Sequence, residues 1–469
     1  MRSTRIGALA WAGLSGLHDR LRNGRMFQAA ALTLGAQFLS QVIRLGSSLI
    51  TTRLLAPEMF GLMSLVVMIQ VTLSLLSDIG LRTTVIQSRR GDDVVLLNTV
   101  WTIQAIRGVV IWIVCLIIAC ALYFAAQFGA LDPGAALASP ELPYVLVASA
   151  VGSVITGFQS TNLMTAGRNL SLFRVVVIEG AAQIGGLIVM IGLAVLTKSI
   201  WSLVAYIIVS SIIVTTLSHL YLRGITNRFA WDRNARAEIY KFGVWVLVSS
   251  TTYVLSSNID RALLGALISA TALGVYSIAL TLSTVVDGFV SRLYESVVLP
   301  SLSESGRAGG EKLRDQLMRL RLPFDLWYLG TAGLIFALGP SIVRLLYDVR
   351  YAEAGPMLQI LSFSLVFTRL FVFNMAYLAT GRPHYLAILN ATKLVAVVIL
   401  IPVLFEAYGL QGAMWAIALH PAATLPLYYW FNRKLGLNDL AHEVLVLPAW
   451  PIGYFCGVAL LEVLTFVVG

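Results

Sequence analysis

Long apolar runs alternate with short polar segments along almost the whole chain of 469 residues. A helix that crosses the hydrocarbon core of a bilayer needs about 20 mainly apolar residues, and the runs reach that length repeatedly. They predict thirteen membrane-spanning helices, at residues 26–50, 58–80, 98–126, 142–166, 172–196, 200–222, 241–262, 270–296, 323–346, 355–379, 384–406, 409–432 and 445–468. Pro448 and Pro451 leave open whether the thirteenth span is one helix or two half-helices, since proline interrupts helical hydrogen bonding.

The composition narrows the class of protein. Hydrophobic residues make up 58% of the chain and charged residues 12%, against roughly 25% charged residues in an average soluble domain. A soluble enzyme is excluded because a chain this apolar cannot cover itself with polar surface, and the same figures exclude disorder. Three cysteines and five histidines are scattered without metal-ligand spacing, so we expect no metal and no cofactor. The predicted fold class is an all-α polytopic membrane protein.

The basic residues predict the orientation of the spans. With the N-terminus in the cytoplasm, 24 of the 33 Lys and Arg residues fall on the inner side, five fall in outer loops and four lie within spans. Cytoplasmic loops of membrane proteins carry such an excess, so the net charge of +10 reflects topology and indicates no nucleic-acid partner. Residues 1–25 are predicted to be a basic cytoplasmic tail or a helix on the membrane surface.

An internal duplication is indicated by matches that recur at one nearly constant offset along the chain, each at the same place in its span. The matching pairs are Leu163-Met-Thr-Ala-Gly-Arg-Asn169 with Tyr377-Leu-Ala-Thr-Gly-Arg-Pro383, Gly61-Leu-Met-Ser64 with Gly274-Val-Tyr-Ser277, Trp201 with Trp415, and Glu179 with Lys393. Six spans per repeat return the chain to the same side, so the two halves have parallel topology. We predict a lobe at 26–222, a cytoplasmic linker at 223–240, a second lobe at 241–432 and a C-terminal span within 433–469. Duplicated halves with a site at their interface are typical of transporters.

Charged and amide side chains within the spans are the candidate functional residues, because an ionisable group in hydrocarbon is costly and faces a cavity or a partner. Basic groups would form a cavity wall that binds phosphate; the alternative is pairing between helices or snorkelling. Acidic groups would bind a coupling proton or sodium ion; the alternative is a fixed counter-ion. The cavity candidates are Arg107, Lys393, Arg44, Arg369, Gln41, Gln159 and Asn374, and the ion-coupling candidates are Glu179, Asp260 and Asp287.

Several short motifs resemble a known family in their order and spacing. They are Ala56-Pro-Glu-Met-Phe-Gly61, Asp78-Ile-Gly-Leu81, Gln87, Leu97-Asn-Thr-Val-Trp101, Leu345-Leu-Tyr-Asp-Val-Arg-Tyr351 and Pro356-Met-Leu-Gln-Ile360. Together they resemble the Wzx-type oligosaccharide flippases of the MOP superfamily, in the exopolysaccharide and colanic-acid pattern, over most of residues 26–435. That superfamily also contains the MATE exporters and the lipid II flippases.

The resemblance implies two parallel six-helix lobes around a cationic cavity in the bacterial inner membrane. It implies that an undecaprenyl-diphosphate-linked oligosaccharide moves across that membrane by alternating access, driven by an ion gradient. The partners expected are this lipid-linked oligosaccharide, membrane lipid and the polysaccharide polymerase or export machinery, with the chain itself a monomer. Two alternatives remain open: a MATE-like exporter of cationic compounds, and a polysaccharide polymerase or acyltransferase. The absence of any long outer loop between the predicted spans counts against the enzyme.

Overall fold

The computed structural model describes residues 25–468 except 89, 169–171, 295–297 and 308–309, and every regular element in this part is helical. The predicted tail at 1–25 therefore lies almost wholly outside the described residues. The helices of the first half are α1 (Arg25–Leu54), α2 (Pro57–Leu76), α3 (Leu81–Gln87), α4 (Val94–Gln127), α5 (Leu142–Gly157), α6 (Asn162–Arg168), α7 (Leu172–Thr197) and α8 (Trp201–Leu220). Those of the second half are α9 (Arg233–Leu267), α10 (Ala270–Leu293), α11 (Leu299–Arg307), α12 (Gly310–Leu346), α13 (Ala354–Leu361), α14 (Ser364–Thr368), α15 (Phe371–Ala379), α16 (His384–Leu419), α17 (Leu425–Leu435), α18 (Leu440–Val446) and α19 (Ala449–Val468).

Each of the thirteen predicted spans lies largely in one or more of these helices. In the described part, eight helical segments are long and apolar enough to cross a membrane, and the α5–α6 pair, bent by 64°, makes a ninth. One of the eight, His384–Leu435, covers the predicted eleventh and twelfth spans, which Gly409 separates with φ 62° and ψ −147°. The thirteenth span is the single helix α19, which starts directly after Pro448 and tolerates Pro451 in its first turn. The chain is therefore a multi-pass membrane protein.

Four connections that the sequence places on the outer side meet at one end of the helix bundle, here called the outer end. The guanidinium of Arg350, after α12, donates to the carbonyl oxygens of Thr52 and Arg53 at 3.1 Å each. The backbone N–H and guanidinium of Arg350 also lower the pKa of the Asp348 carboxyl, so this carboxylate stays ionised beside the arginine. Elsewhere at this end, the Ala136 N–H donates to the Ile268 carbonyl at 2.9 Å. The two halves are thus joined at the outer end.

The two halves approach each other closely where α2 crosses α10. A Cβ atom on Gly61 would overlap the backbone of Ala270, and one on Gly274 would overlap the carbonyl oxygen of Pro57. Only glycine permits backbones to approach this closely, as at small-residue crossings of membrane helices generally. Gly61 and Gly274 are also one of the matched pairs of the duplication, so the repeat-related positions pack against each other.

The apolar cores differ between the two ends of the helix bundle. The largest core combines buried residues from both halves, among them Leu62, Leu146, Leu273 and Ile417. A second core lies wholly in the second half, around Tyr294 and Phe431. A third core, at the opposite end of the bundle, here called the inner end, contains first-half residues together with the start of α9. In the described part, shared packing therefore belongs to the outer end and separate cores to the inner end.

The linker between the halves is bound to the first half by polar side chains. The side-chain amide of Asn162 exchanges two hydrogen bonds with the backbone of Ile225, each 3.2 Å long. The side chain of Asn98 accepts from the Arg228 N–H at 3.0 Å, and that of Thr102 accepts from the Ala230 N–H at 3.0 Å. These contacts lead directly into α9, whose first turns are buried in the third core.

Polar contacts also join predicted spans within each half. The Ser160 N–H donates to the Ser218 hydroxyl at 2.9 Å, which joins the predicted fourth and sixth spans. The repeat-related positions in the second half are Asn374 and Asn432. Their side-chain oxygens accept from the hydroxyls of Tyr428 at 3.0 Å and Tyr377 at 2.7 Å, which joins the tenth and twelfth spans. Asn374, a predicted cavity residue, is buried in this contact.

The α2–α10 crossing predicts that the effect of one added methyl group on protein stability depends on its position along α10. We expect Gly274→Ala to destabilise the protein by about 1–3 kcal/mol, the usual cost of overpacking, because the methyl group meets backbone that cannot rotate away. The matched control is Gly288→Ala on the same helix, where nothing lies within 4 Å of the new methyl group and helix propensity favours alanine. Thermal unfolding in detergent is the measurement, and equal midpoints for the two variants would contradict the assigned crossing.

Candidate functional site

A polar cavity of about 250 Å³ lies in the first half, at the inner end of the bundle. It is bounded by the last turn of α2, by α3, by the middle of α4 and by the end of α5. Its polar lining consists of Ser74, Asp78, Arg82, Gln104, Arg107, Ser153, Thr156 and Gln159. The predicted cavity residues Arg107 and Gln159 are therefore brought together, although they come from different predicted spans.

The Arg107 guanidinium is fixed in place by α2. Its Nε donates to the Ser77 hydroxyl at 3.0 Å, and its Nη2 donates to the carbonyl oxygen of Ser74 at 2.6 Å and to the hydroxyl of the same residue at 3.1 Å. The nearest carboxylate, on Asp78, lies 3.8 Å from Nη1 and is itself partly exposed. Arg107 therefore presents an oriented positive charge in a cavity wall, with one loosely held counter-ion.

Gln104 shapes the floor of the same cavity. Its side-chain amide donates to the carbonyl oxygens of Thr156, Gly157 and Gln159, at 3.1–3.2 Å. The carbonyls of Thr156 and Gly157 end α5, where they have no partner within the helix, and that of Gln159 lies in the bend between α5 and α6. The bend thus places Gln159 in the lining of the cavity beside Arg107.

Three further candidates lie in the first half on α1 and α7. These helices pack together through Ser40, whose hydroxyl donates to the Gln183 side chain at 3.0 Å. Arg44 and Glu179 are exposed, and Gln41 is partly buried. None of the three lines the Arg107 cavity, and no ion pair joins Arg44 to Glu179 in the part of the chain described here.

The second half contains a row of titratable groups within electrostatic range of one another. Asp287 on α10 lies against the Tyr328 hydroxyl and near the Lys393 ammonium. Lys393 lies near His420, and His420 near Asp260, whose carboxylate accepts a hydrogen bond from the Tyr276 hydroxyl. One oxygen of Asp287 is buried without a hydrogen-bond partner among the described residues. The structure thus places Lys393 with two ion-coupling candidates, Asp260 and Asp287, and away from Arg107.

Arg369 lies in a different cluster, which sequence reasoning missed. Its guanidinium is 3.4 Å from an oxygen of Asp325 and 2.6 Å from an oxygen of Glu443. Arg321 pairs with the same two carboxylates, and His442 lies 2.9 Å from Asp325. The one signal available in the sequence was the i, i+4 spacing of Arg321 and Asp325, which puts both on one helix face. No group of three or more His, Cys, Asp or Glu residues within the described ranges could hold a metal ion.

Solved structures share the overall fold of this chain at low sequence identity. A lipid II flippase, MurJ, in an inward closed conformation matches with a TM-score of 0.69 and 13% identity, over 90% of this chain and 91% of that one. A multidrug resistance MATE transporter in an inward-facing conformation matches with a TM-score of 0.67 and 15% identity, over 87% and 98%. A MOP-superfamily transporter from Pyrococcus furiosus, described as having a binding pocket of reversed polarity, matches with a TM-score of 0.55 and 16% identity, over 89% and 97%.

These matches show that the chain shares the fold of these membrane proteins. The sequence identifies the family more narrowly. A family model described as polysaccharide biosynthesis protein matches residues 50–321, more than half of the chain, so the chain belongs to that family. No curated protein matches the sequence.

The row of charges in the second half predicts non-additive effects of mutation. Lys393→Met leaves Asp287 without its nearby positive charge, so we expect a loss of stability. In the double variant with Asp287→Asn, both charges are gone, and we expect part of that loss to be recovered, with a coupling of about 0.5–3 kcal/mol. Thermal unfolding of the wild type, both single variants and the double variant measures the coupling. Strictly additive shifts would show that the two groups do not interact.

Proposed function

We propose that this protein is a flippase that moves an undecaprenyl-diphosphate-linked oligosaccharide across the bacterial inner membrane, with its N-terminus in the cytoplasm. The observation that carries the proposal is the oriented Arg107 charge in a polar inner-end cavity, in a member of a polysaccharide biosynthesis family. The sugar diphosphate cannot cross hydrocarbon unaided, because each unsatisfied polar group costs several kcal/mol. A basic, hydrated cavity replaces the water that the head group loses.

The proposed movement is alternating access between the predicted lobes, 26–222 and 241–432. Joined packing at the outer end and separate cores at the inner end support a state that faces the cytoplasm. Opening the outer end would require the contacts around Gly61, Gly274 and Arg350 to separate. The diphosphate would stay on the cationic wall while the prenyl tail stays in lipid. This is transport without covalent chemistry, so the proposal assigns no catalytic residue.

The coupling ion is proposed to act in the second half. Asp260 and Asp287 stand at the two ends of the row that contains His420 and Lys393, and a proton or cation bound there would change the charge that faces Lys393. Glu179, the third candidate, is exposed on the other half. Contact with the polysaccharide polymerase or export machinery, and a monomeric state, are further parts of the proposal.

A MATE-like exporter of cationic compounds is the second candidate. The fold match to multidrug MATE transporters and the carboxylate of Asp78 in the Arg107 cavity favour it. Deletion of the gene distinguishes the two candidates. Loss of surface polysaccharide supports the flippase, whereas sensitivity to cationic drugs with normal polysaccharide supports the exporter.

Export by site variants tests the assigned cavity. We expect Arg107→Gln to reduce polysaccharide export at least 10-fold in a deletion strain while the protein remains in the membrane. Loss of one charge-assisted phosphate contact is sufficient for an effect of this size. Arg174→Gln is the matched control, since the Arg174 guanidinium lies 5.8 Å from the centre of the Tyr221 ring and outside the cavity. Export at wild-type level by Arg107→Gln would refute the cavity as the phosphate site.

A further inference from the structure

A second cavity, of about 220 Å³, lies in the second half between α12, α15, α17 and α18. Two arginines, Arg321 and Arg369, line it together with Phe373, Asn432 and Glu443. The segment after α17, which contains Asn438 and Asp439, follows the predicted twelfth span, and the linker follows the predicted sixth span. Both follow an even number of predicted spans, so this cavity lies at the inner end of the bundle. It is separate from the Arg107 cavity, which belongs to the first half.

The two arginines are held by a buried carboxylate beneath them. Asp325 is fully buried, and one of its oxygens lies 2.8 Å from Arg321 Nε and 3.4 Å from Arg369 Nη1. The same oxygen contacts the His442 ring at 2.9 Å. The Arg321 guanidinium also stacks over the Phe373 ring, 4.6 Å from its centre. Both guanidiniums are therefore fixed before any ligand binds, which lowers the entropic cost of binding.

Glu443 occupies the position between the two guanidiniums. One carboxylate oxygen bonds to Arg321 Nη2, and the other bonds to Arg369 Nη2 at 2.6 Å. Proteins bind phosphate in the same way, with an anion that accepts hydrogen bonds from two arginines at once. Unlike Asp325, Glu443 is about one-third exposed and comes from the seven-residue helix α18. It is thus the accessible acidic member of the cluster.

Hydrogen-bond donors other than those bonded to Glu443 are also present in this cavity. Arg321 Nη1 is buried and has no hydrogen-bond partner in the described part of the chain. The Asn432 oxygen accepts from Tyr377 at 2.7 Å, which leaves its amide N–H groups to donate. Without Glu443, the two guanidiniums would share the Asp325 carboxylate as their one ion-pair partner among the described residues. The Asp439 carboxylate also lines the cavity, and it accepts from the His442 N–H at 3.0 Å.

We propose that Arg321 and Arg369 form a second binding site for a phosphate group, and that Glu443 occupies this site until a phosphate displaces it. The phosphate belongs either to an anionic lipid head group or to the diphosphate of the lipid-linked substrate. The second source rests on the proposed function, whereas affinity for phosphate does not. When phosphate binds, the Glu443 carboxylate leaves and α18 loses its attachment to α12 and α15.

The test is phosphate binding by the full-length protein in detergent. Glu443→Gln keeps the size of the side chain but removes its charge, so inorganic pyrophosphate no longer competes with a carboxylate. We expect this variant to bind pyrophosphate at least 10-fold more tightly than the wild type, measured as stabilisation against thermal unfolding over a pyrophosphate titration. Adding Arg369→Gln to the variant should abolish the gain. Glu406→Gln, at an exposed glutamate of α16, should behave as the wild type.

A shorter carboxylate keeps the test decisive if Glu443→Gln folds poorly. Glu443→Asp preserves the charge but cannot reach both guanidiniums, so we expect an affinity between those of the wild type and Glu443→Gln. Phosphatidylglycerol vesicles and undecaprenyl diphosphate, used in place of pyrophosphate, distinguish the two sources of phosphate. A gain with any of the three probes that depends on Arg369 supports the site. No gain with any probe, or a gain that survives Arg369→Gln, would show that the cluster only holds α18 in place.

Phosphate binding is measured without transport, so this experiment is independent of the proposed function. If the protein binds pyrophosphate but a strain that lacks its gene exports polysaccharide normally, the phosphate site stands and the flippase proposal is refuted. If Arg107→Gln loses polysaccharide export but Glu443→Gln does not bind pyrophosphate, the flippase proposal stands and this phosphate site is refuted.

Discussion

The crossing of α2 with α10 is the contact on which the relation between the two halves depends. Because Gly61 and Gly274 lack side chains, the two backbones touch, and the surrounding residues of both halves form one core. Backbone contact of this kind is attractive only at close range, since dispersion falls off steeply once a gap opens. The crossing is therefore suited to two discrete arrangements, packed or separated, and less suited to intermediate ones.

The arginine side chains within the membrane have different partners in the two halves. Arg107 is held by serine oxygens and has only a distant carboxylate, so it can still neutralise an anion. Arg321 and Arg369 are already paired with two carboxylates, and an anion must first displace one of them. A buried ion pair is expensive to desolvate and contributes little net stability. Retaining such a cluster is therefore better explained by specificity or switching than by stability, although it also attaches α18 to the bundle.

Most of the predicted spans coincide with helices that are long and apolar enough to cross a membrane, because hydrocarbon imposes a minimum apolar length. Among the described residues, the helices of the predicted first, seventh and eighth spans are not in that group. The sequence predicted the starts of helices poorly. Helix α12 begins at Gly310, before the apolar run at 323, since the charged turns that precede a span can be helical in water. The Arg107 cavity was partly predictable, because an arginine and a glutamine within apolar runs are conspicuous. The second cluster was not, since Glu443 and His442 reach Arg321 and Asp325 from a distant part of the chain, and Arg321 stands at the edge of a basic segment.

The attachment of the linker has a mechanical consequence for α9. By the duplication, this helix belongs to the second half, yet its first turns are buried against the first half and the residue that follows its last turn bonds to Ala136. It is held to the first half near both of its ends, while its length packs along α16. In the proposed alternating access, the unit that moves then differs from the predicted repeat. The surface that slides in that movement would be the face between α9 and α16, and the linker, although it joins the halves in sequence, would move with the first half.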